Sequence, residues 1–162
     1  MKKLFIKQKV FKITDHYPIT DENQETIYQV DQDFKLIGNT VRVSDKYGSE
    51  LFVVSKEVFT LLPRFVVRFA NGNEVVLKSR FTLFNKEIDI DPDGLKLFLK
   101  GDFFDHNFSL YENNTQIGSI TEEYFTWGDT FVLTINDESK QDLIVAIMIA
   151  VDCIKDDQEK RR

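Results

Sequence analysis

The chain has 162 residues, 42% hydrophobic and 30% charged, with a formal net charge of -6. That composition fits one globular domain and excludes a disordered chain, while the acidic balance excludes general nucleic-acid binding, which needs a basic footprint. One cysteine, Cys153, excludes an intramolecular disulfide and makes a reducing compartment, the cytoplasm, the expected location.

The N-terminal stretch MKKLFIKQKVFK opens with lysines, as signal peptides do. Lys7, Lys9 and Lys12 then interrupt any apolar run, so it reads as a strand rather than a leader. Lys2, Lys3, Lys7, Lys9 and Lys12 make it a basic patch, and lysine on an exposed strand discourages edge-to-edge aggregation.

From this strand onward an aromatic recurs. Phe11, Phe34, Phe59, Phe81, Phe104 and Phe125 follow one another at intervals of 21 to 25 residues. Each is preceded by an extended segment and followed by a second one that alternates in polarity and ends at a turn. The turns are DENQ at Asp21, DKYG at Asp45, NGN at Asn71, DPDG at Asp91, NN at Asn113 and NDES at Asn136. In RFVVRF, Phe65, Val67 and Phe69 share one face and Arg64, Val66 and Arg68 the other; EIDID, LKLFLK and FVLTI alternate likewise. A period of two with one apolar face specifies half-buried antiparallel strands. The chain therefore reads as six strand-corner-strand units starting near Leu4, Thr26, Glu50, Glu74, Leu95 and Gln116. That makes twelve strands in a meander, with the repeated Phe expected to plug the barrel end at each corner.

The last element differs. Ser139 and Asp142 have capping-box spacing, and DLIVAIMIAVDCI is apolar on every side of a helical wheel. Such a helix must be surrounded by protein. Its apolar core, Leu143 to Val151, is too short for a bilayer span, which takes about 18 residues or more. Twelve tilted strands about 4.8 Å apart close into a cylinder roughly 23 Å across, too wide for strand side chains alone to fill. A helix about 10 Å thick would complete the filling. The sequence thus predicts a mainly β protein: a closed twelve-stranded antiparallel β-barrel enclosing one C-terminal hydrophobic α-helix. The domain covers 1–156, the helix about 140–155, and a charged tail 157–162.

Chemistry is sparse. His16 and His106 form no ligand motif and Cys153 stands alone, so no metal site is expected. Pro92 and a missing bidentate Glu break the calcium-loop pattern at Asp91–Gly94. Nucleotide and hydrolase motifs are absent, and neither a cofactor nor catalysis is expected. Trp127–Asp129 reads as a turn with Asp129 capping backbone. Asp152 reads as a carboxylate bonded near the barrel mouth, and Cys153 as a small buried apolar residue. An enzyme would have only Asp129, Asp152 and His106 to use, and no spacing joins them.

One constellation has a physical argument behind it. If Asn71–Asn73 form a three-residue loop, Arg68 faces Val76, Val66 faces Lys78 and Arg64 faces Arg80. The outward cations Arg64, Arg68, Lys78 and Arg80 then crowd together. Like charges opposite one another destabilise a sheet, so such a cluster suits a bound anion, and arginine's fork suits phosphate. The alternative is that neighbouring strands supply acidic partners. In the next hairpin, Asp89 is expected to face Lys96.

The segments FTLLPRF, FTLFNKE, KGDFFDHNFSLYE, EEYFTWGDTFVLTI and AIMIAVDCI carry a resemblance to the LURP-one-related family, over essentially Lys2 to Asp156. The resemblance implies the tubby C-terminal fold shared with phospholipid scramblases, a twelve-stranded barrel around a central C-terminal helix. Tubby domains bind phosphoinositides on a basic surface. Scramblases carry a palmitoylated cysteine cluster that this chain lacks. The resemblance assigns no residue a role. The expected function is a cytoplasmic, non-enzymatic binding module for an anionic lipid headgroup or phosphorylated ligand, peripheral to a membrane at most. The alternative is a protein-interaction scaffold without a small-molecule site.

Overall fold

The computed structural model describes residues 1–7, 16–33, 40–57, 64–81, 86–92, 97–102, 105–125 and 128–160, with backbone alone at 79–81, 86–92 and 158–160. The strands are β1 (Lys2–Lys7), β2 (His16–Thr20), β3 (Thr26–Asp33), β4 (Thr40–Asp45), β5 (Glu50–Glu57) and β6 (Arg64–Phe69). They continue as β7 (Glu74–Phe81), β8 (Lys86–Pro92), β9 (Leu97–Asp102), β10 (Asn107–Glu112), β11 (Thr115–Phe125) and β12 (Gly128–Ile135). A 3-10 turn (Glu138–Lys140) then leads into the helix α1 (Gln141–Lys160).

Among the described residues the strands form one antiparallel sheet in the order β8-β7-β6-β5-β4-β3-β2-β1-β12-β11-β10-β9. It is a meander whose first and last strands pair, from Lys2 opposite Ile135 to Lys7 opposite Thr130. The sheet is not closed by hydrogen bonds: β8 and β9 are its two edges, although they follow one another in the chain. Pro92, which lacks an N–H, ends the β8 edge, and an edge strand is where a sheet tolerates proline.

The sheet curls about the helix. Inward positions Leu4, Ile6, Val41, Val43, Phe65, Val67, Leu133 and Ile135 are buried, matching the alternation in the sequence. Along α1, Ile144 to Val151 are all at most 3% exposed. Eight consecutive residues sample more than two full turns, so the whole circumference of the helix is covered. It packs on β5 and β6 from one part of the sheet and on β11 and β12 from another. Each such aliphatic side chain contributes about 1.5–3 kcal/mol on burial.

The helix and the sheet approach closely at Gly118. A Cβ there would lie 2.6 Å from Ile144 Cγ2 and 3.3 Å from the Thr134 carbonyl oxygen. The Ile144 methyl branches directly beside its backbone and cannot swing aside. Gly118→Ala is therefore expected to destabilise the fold by about 1–3 kcal/mol, the range for overpacking. Urea denaturation checks this, and the penalty should shrink in an Ile144→Ala background, where the opposing methyl is gone.

Some local expectations fail for identifiable reasons. Ser139 does not cap the helix. Asp137 caps the 3-10 turn, accepting from Ser139 N at 3.1 Å and Ser139 Oγ at 2.6 Å. Asp142 instead accepts from the buried Tyr28 hydroxyl, which in turn accepts from Gln141 Nε2 at 2.9 Å. The helix also runs past the expected end near 155, because Lys56 on β5 pairs with a buried Asp157 and holds another turn against the sheet. Of the corner phenylalanines, Phe11, Phe34, Phe59 and Phe104 lie outside the described residues, as does the Phe81 side chain. Phe125 does not plug the interior. It packs edge-to-face on Phe5, centroids 6.0 Å apart, on the outer side of the wall.

Candidate functional site

The basic face is decided by one turn. The loop at its end is Ala70–Gly72 rather than Asn71–Asn73: Phe69 N–H donates to the Asn73 carbonyl and Gly72 N–H to the Phe69 carbonyl, both at 2.9 Å. Gly72 has φ +91, the left-handed conformation that the last residue of a three-residue hairpin loop adopts, and glycine takes it without a Cβ penalty. The ladder consequently shifts by two residues from the expected one. Inward and outward faces are unchanged, but every cross-strand neighbour is different.

Arg68 lies opposite Glu74 instead of Val76, and Arg64 opposite Lys78 instead of Arg80. On its other side Arg64 lies opposite Glu57, Lys78 opposite Asp89, and Arg80 opposite Glu87. Each of the four cations thus has an acid directly across one neighbouring strand. Arg68 Nε is 2.8 Å from Glu74 Oε1 and Arg64 Nε is 3.2 Å from Glu57 Oε2. These pairs are solvent-facing, with the two arginine side chains 39% and 56% exposed. The side chains of Arg80, Asp89 and Glu87 lie outside the described residues, as does Lys96, the expected partner of Asp89.

The fold also joins two residues that no sequence spacing connects. His106 and Asp152 are 6% and 7% exposed, and His106 Nε2 lies 2.8 Å from Asp152 Oδ1. His106 sits in the turn before β10 at φ +48, its ring 4.4 Å from that of Phe131. Lys155 Nζ lies 3.4 Å from His106 Nδ1. A proton on Nε2 satisfies both contacts: the ring donates to the carboxylate and accepts from the ammonium. Tyr17 is buried in the same neighbourhood. Burial, then the nearby Asp152 charge, pushes its phenol well above the ordinary range, so it stays a neutral hydroxyl. Asp129 is exposed at the start of β12 and forms no described contact with this group. Trp127 lies outside the described residues. A contact between residues 46 positions apart has no local signature; the only sequence signal was a carboxylate in an apolar run.

The geometry is that of a mainly β protein with a helix-filled interior and a polar latch at the helix's C-terminal end. The LURP-one-related family model matches residues 2–152, and the chain belongs to that family. It is similar to YxjI of Bacillus subtilis strain 168, with 25% identity over 154 residues that cover 95% of this chain and 94% of that protein. It is also similar in fold to a crystal structure of an Arabidopsis thaliana protein, with a TM-score of 0.56 at 12% identity, covering 93% of this chain and 91% of that one. Among the described residues, no helix is long and apolar enough to cross a membrane.

Proposed function

We propose that the protein is a non-enzymatic binding module that works through its outer wall, with the sheet closing fully around the helix as a twelve-stranded barrel. The burial of Ile144 to Val151 on every side carries this reading. A helix occupies the space where many barrels hold a ligand. On the wall, Arg64, Arg68, Lys78 and Arg80 form the surface for an anionic ligand such as a phospholipid headgroup. The acids opposite them do not forbid this. Exposed ion pairs contribute only about 0–1 kcal/mol, so a phosphate that engages a guanidinium by two bonds can displace Glu57 or Glu74 at little cost.

Vesicle flotation tests it. The protein should float with phosphatidylserine- or phosphoinositide-containing vesicles and not with phosphatidylcholine alone, and Arg64→Gln with Arg68→Gln should abolish the difference. Negligible flotation with both vesicle types would remove the lipid ligand. The protein-interaction scaffold would then stand, a reading favoured by the acid placed across from each cation.

A further inference from the structure

A second place on the wall has the opposite character: its lysines form no ion pair among the described residues. Among the described residues β1 and β2 share only the pairing of Phe5 with Thr20, whereas β1 pairs with β12 along its full length. Next to that pairing the β2–β3 register shifts between Ile19 and Thr20, and Pro18 supplies no N–H for a ladder. The two strands diverge, and a cavity of about 320 Å³ opens between β1, the end of β2 and β11.

Leu4 and Ile6 point into the core, so Lys3, Phe5 and Lys7 face outward and line this cavity. Its floor is the edge-to-face pair of Phe5 and Phe125 with the fully buried Thr130, whose hydroxyl donates to the Gly128 carbonyl at 3.2 Å. Neither Lys3 nor Lys7 forms an ion pair among the described residues. Lys3 and Lys7 are four positions apart, about 13 Å along the strand, with Phe5 midway between them.

We propose that this cavity binds a small ligand with an aromatic or apolar body and one anionic group, such as an aryl carboxylate. The body lies on Phe5 and Phe125, and the anion takes Lys3 or Lys7, one at each end of that floor. Lysine suits this role because its ammonium is a mobile point charge that needs no fixed bidentate geometry. The volume lies at the small end of ligand sites, which limits the body to about one or two rings. Three acids also border the cavity, and they set the limit on charge. Asp21 is engaged by the Asn23 and Glu25 N–H groups at 2.9 and 3.0 Å, while Glu22 and Glu123 are exposed on the rim. Among the described lining residues two lysines stand against three carboxylates, so the lining as a whole does not attract anions: a single charge is held only by direct contact with a lysine, and a polyphosphate is repelled.

Three matched probes test the site by NMR titration: 3-phenylpropionate, its uncharged amide 3-phenylpropionamide, and the cation 3-phenylpropylamine. The expected result is saturable shifts at Phe5, Thr20, Phe125 and Thr130 with the carboxylate, and about fivefold weaker binding of the amide, the upper end for one solvent-facing ion pair. The Lys3→Gln/Lys7→Gln variant should lose that preference while its melting temperature stays the same, since both side chains point into solvent space. Equal affinity for carboxylate and amide, tighter binding of the amine, or no saturable shift at these residues would overturn the proposal. Flotation reads the Arg64–Arg68 face and this titration reads β1 and β2, so each proposal can fail alone.

Discussion

Ile147→Asp is expected to abolish cooperative folding. Ile147 is fully buried at the centre of the apolar run Leu143–Val151 of α1, with buried residues on both sides along the helix. Losing the aliphatic side chain costs about 2–5 kcal/mol, as large-to-small core substitutions do. A carboxyl left there without a hydrogen-bond partner costs about 2–7 kcal/mol even after it neutralises itself by taking a proton. Together these match the whole stability of a domain, about 5–15 kcal/mol. Circular dichroism should show no sigmoidal thermal transition. The matched control is Tyr124→Asp on β11, where the side chain is 83% exposed and a change within about 0.5 kcal/mol is expected. A folded Ile147→Asp variant with a normal transition would mean the helix can leave its sheath.

The next largest effect falls on the latch. His106→Asn is expected to destabilise the protein by about 1.5–3 kcal/mol, the range for losing a hydrogen bond to a buried charged group. Asparagine is the informative replacement because it tolerates the left-handed backbone at φ +48, so the loss reports the side chain rather than turn strain. Urea denaturation of His106→Asn, Asp152→Asn and the double variant closes a double-mutant cycle. A coupling energy above about 1 kcal/mol is expected for groups in direct contact. Additive effects would show that His106 and Asp152 are neighbours without being partners.

The latch also ties the β9 edge of the sheet to the helix. His106 lies in the turn between β9 and β10, the hairpin at that edge, and Asp152 belongs to the helix. Lys140, just before the helix, pairs with Glu112 at the far end of β10. β10 is thus tied at one end to the helix and at the other to the turn that leads into it.

Much of this was legible in the residues themselves. The alternation in RFVVRF and FVLTI is a property of adjacent positions, and it set which side chains face inward. An apolar run bounded by Asp142 and Asp152 announced a buried helix without reference to any other element. What could not be read was relational. A cyclic meander has the same local pattern wherever it is cut, so nothing in the strands announced that β1 would pair with β12 and leave β8 and β9 as edges. The NGN turn fixed a hairpin but admitted two loops, and only the placement of Gly72 at the last loop position selected between them. That choice moved an acid opposite Arg68 and changed the chemistry of the face. The end of the helix was missed because Asp157 reads as tail until Lys56, from a strand 101 positions away, draws it in. Lys3 and Lys7 were visible as part of a basic strand. The aromatic floor beneath them was not, because Phe125 reaches Phe5 only through β12.

Amide hydrogen exchange along α1 tests the enclosure most directly. If strands surround the helix on all sides, the amides of Ile144 to Val151 can open only when the sheet itself comes apart. Their exchange free energies should then equal the global unfolding free energy from denaturant, as do those of the β5 and β12 core. Helix amides that exchange well below that value while the strand amides stay protected would show a rod that slips free of an intact sheet, and would contradict the account.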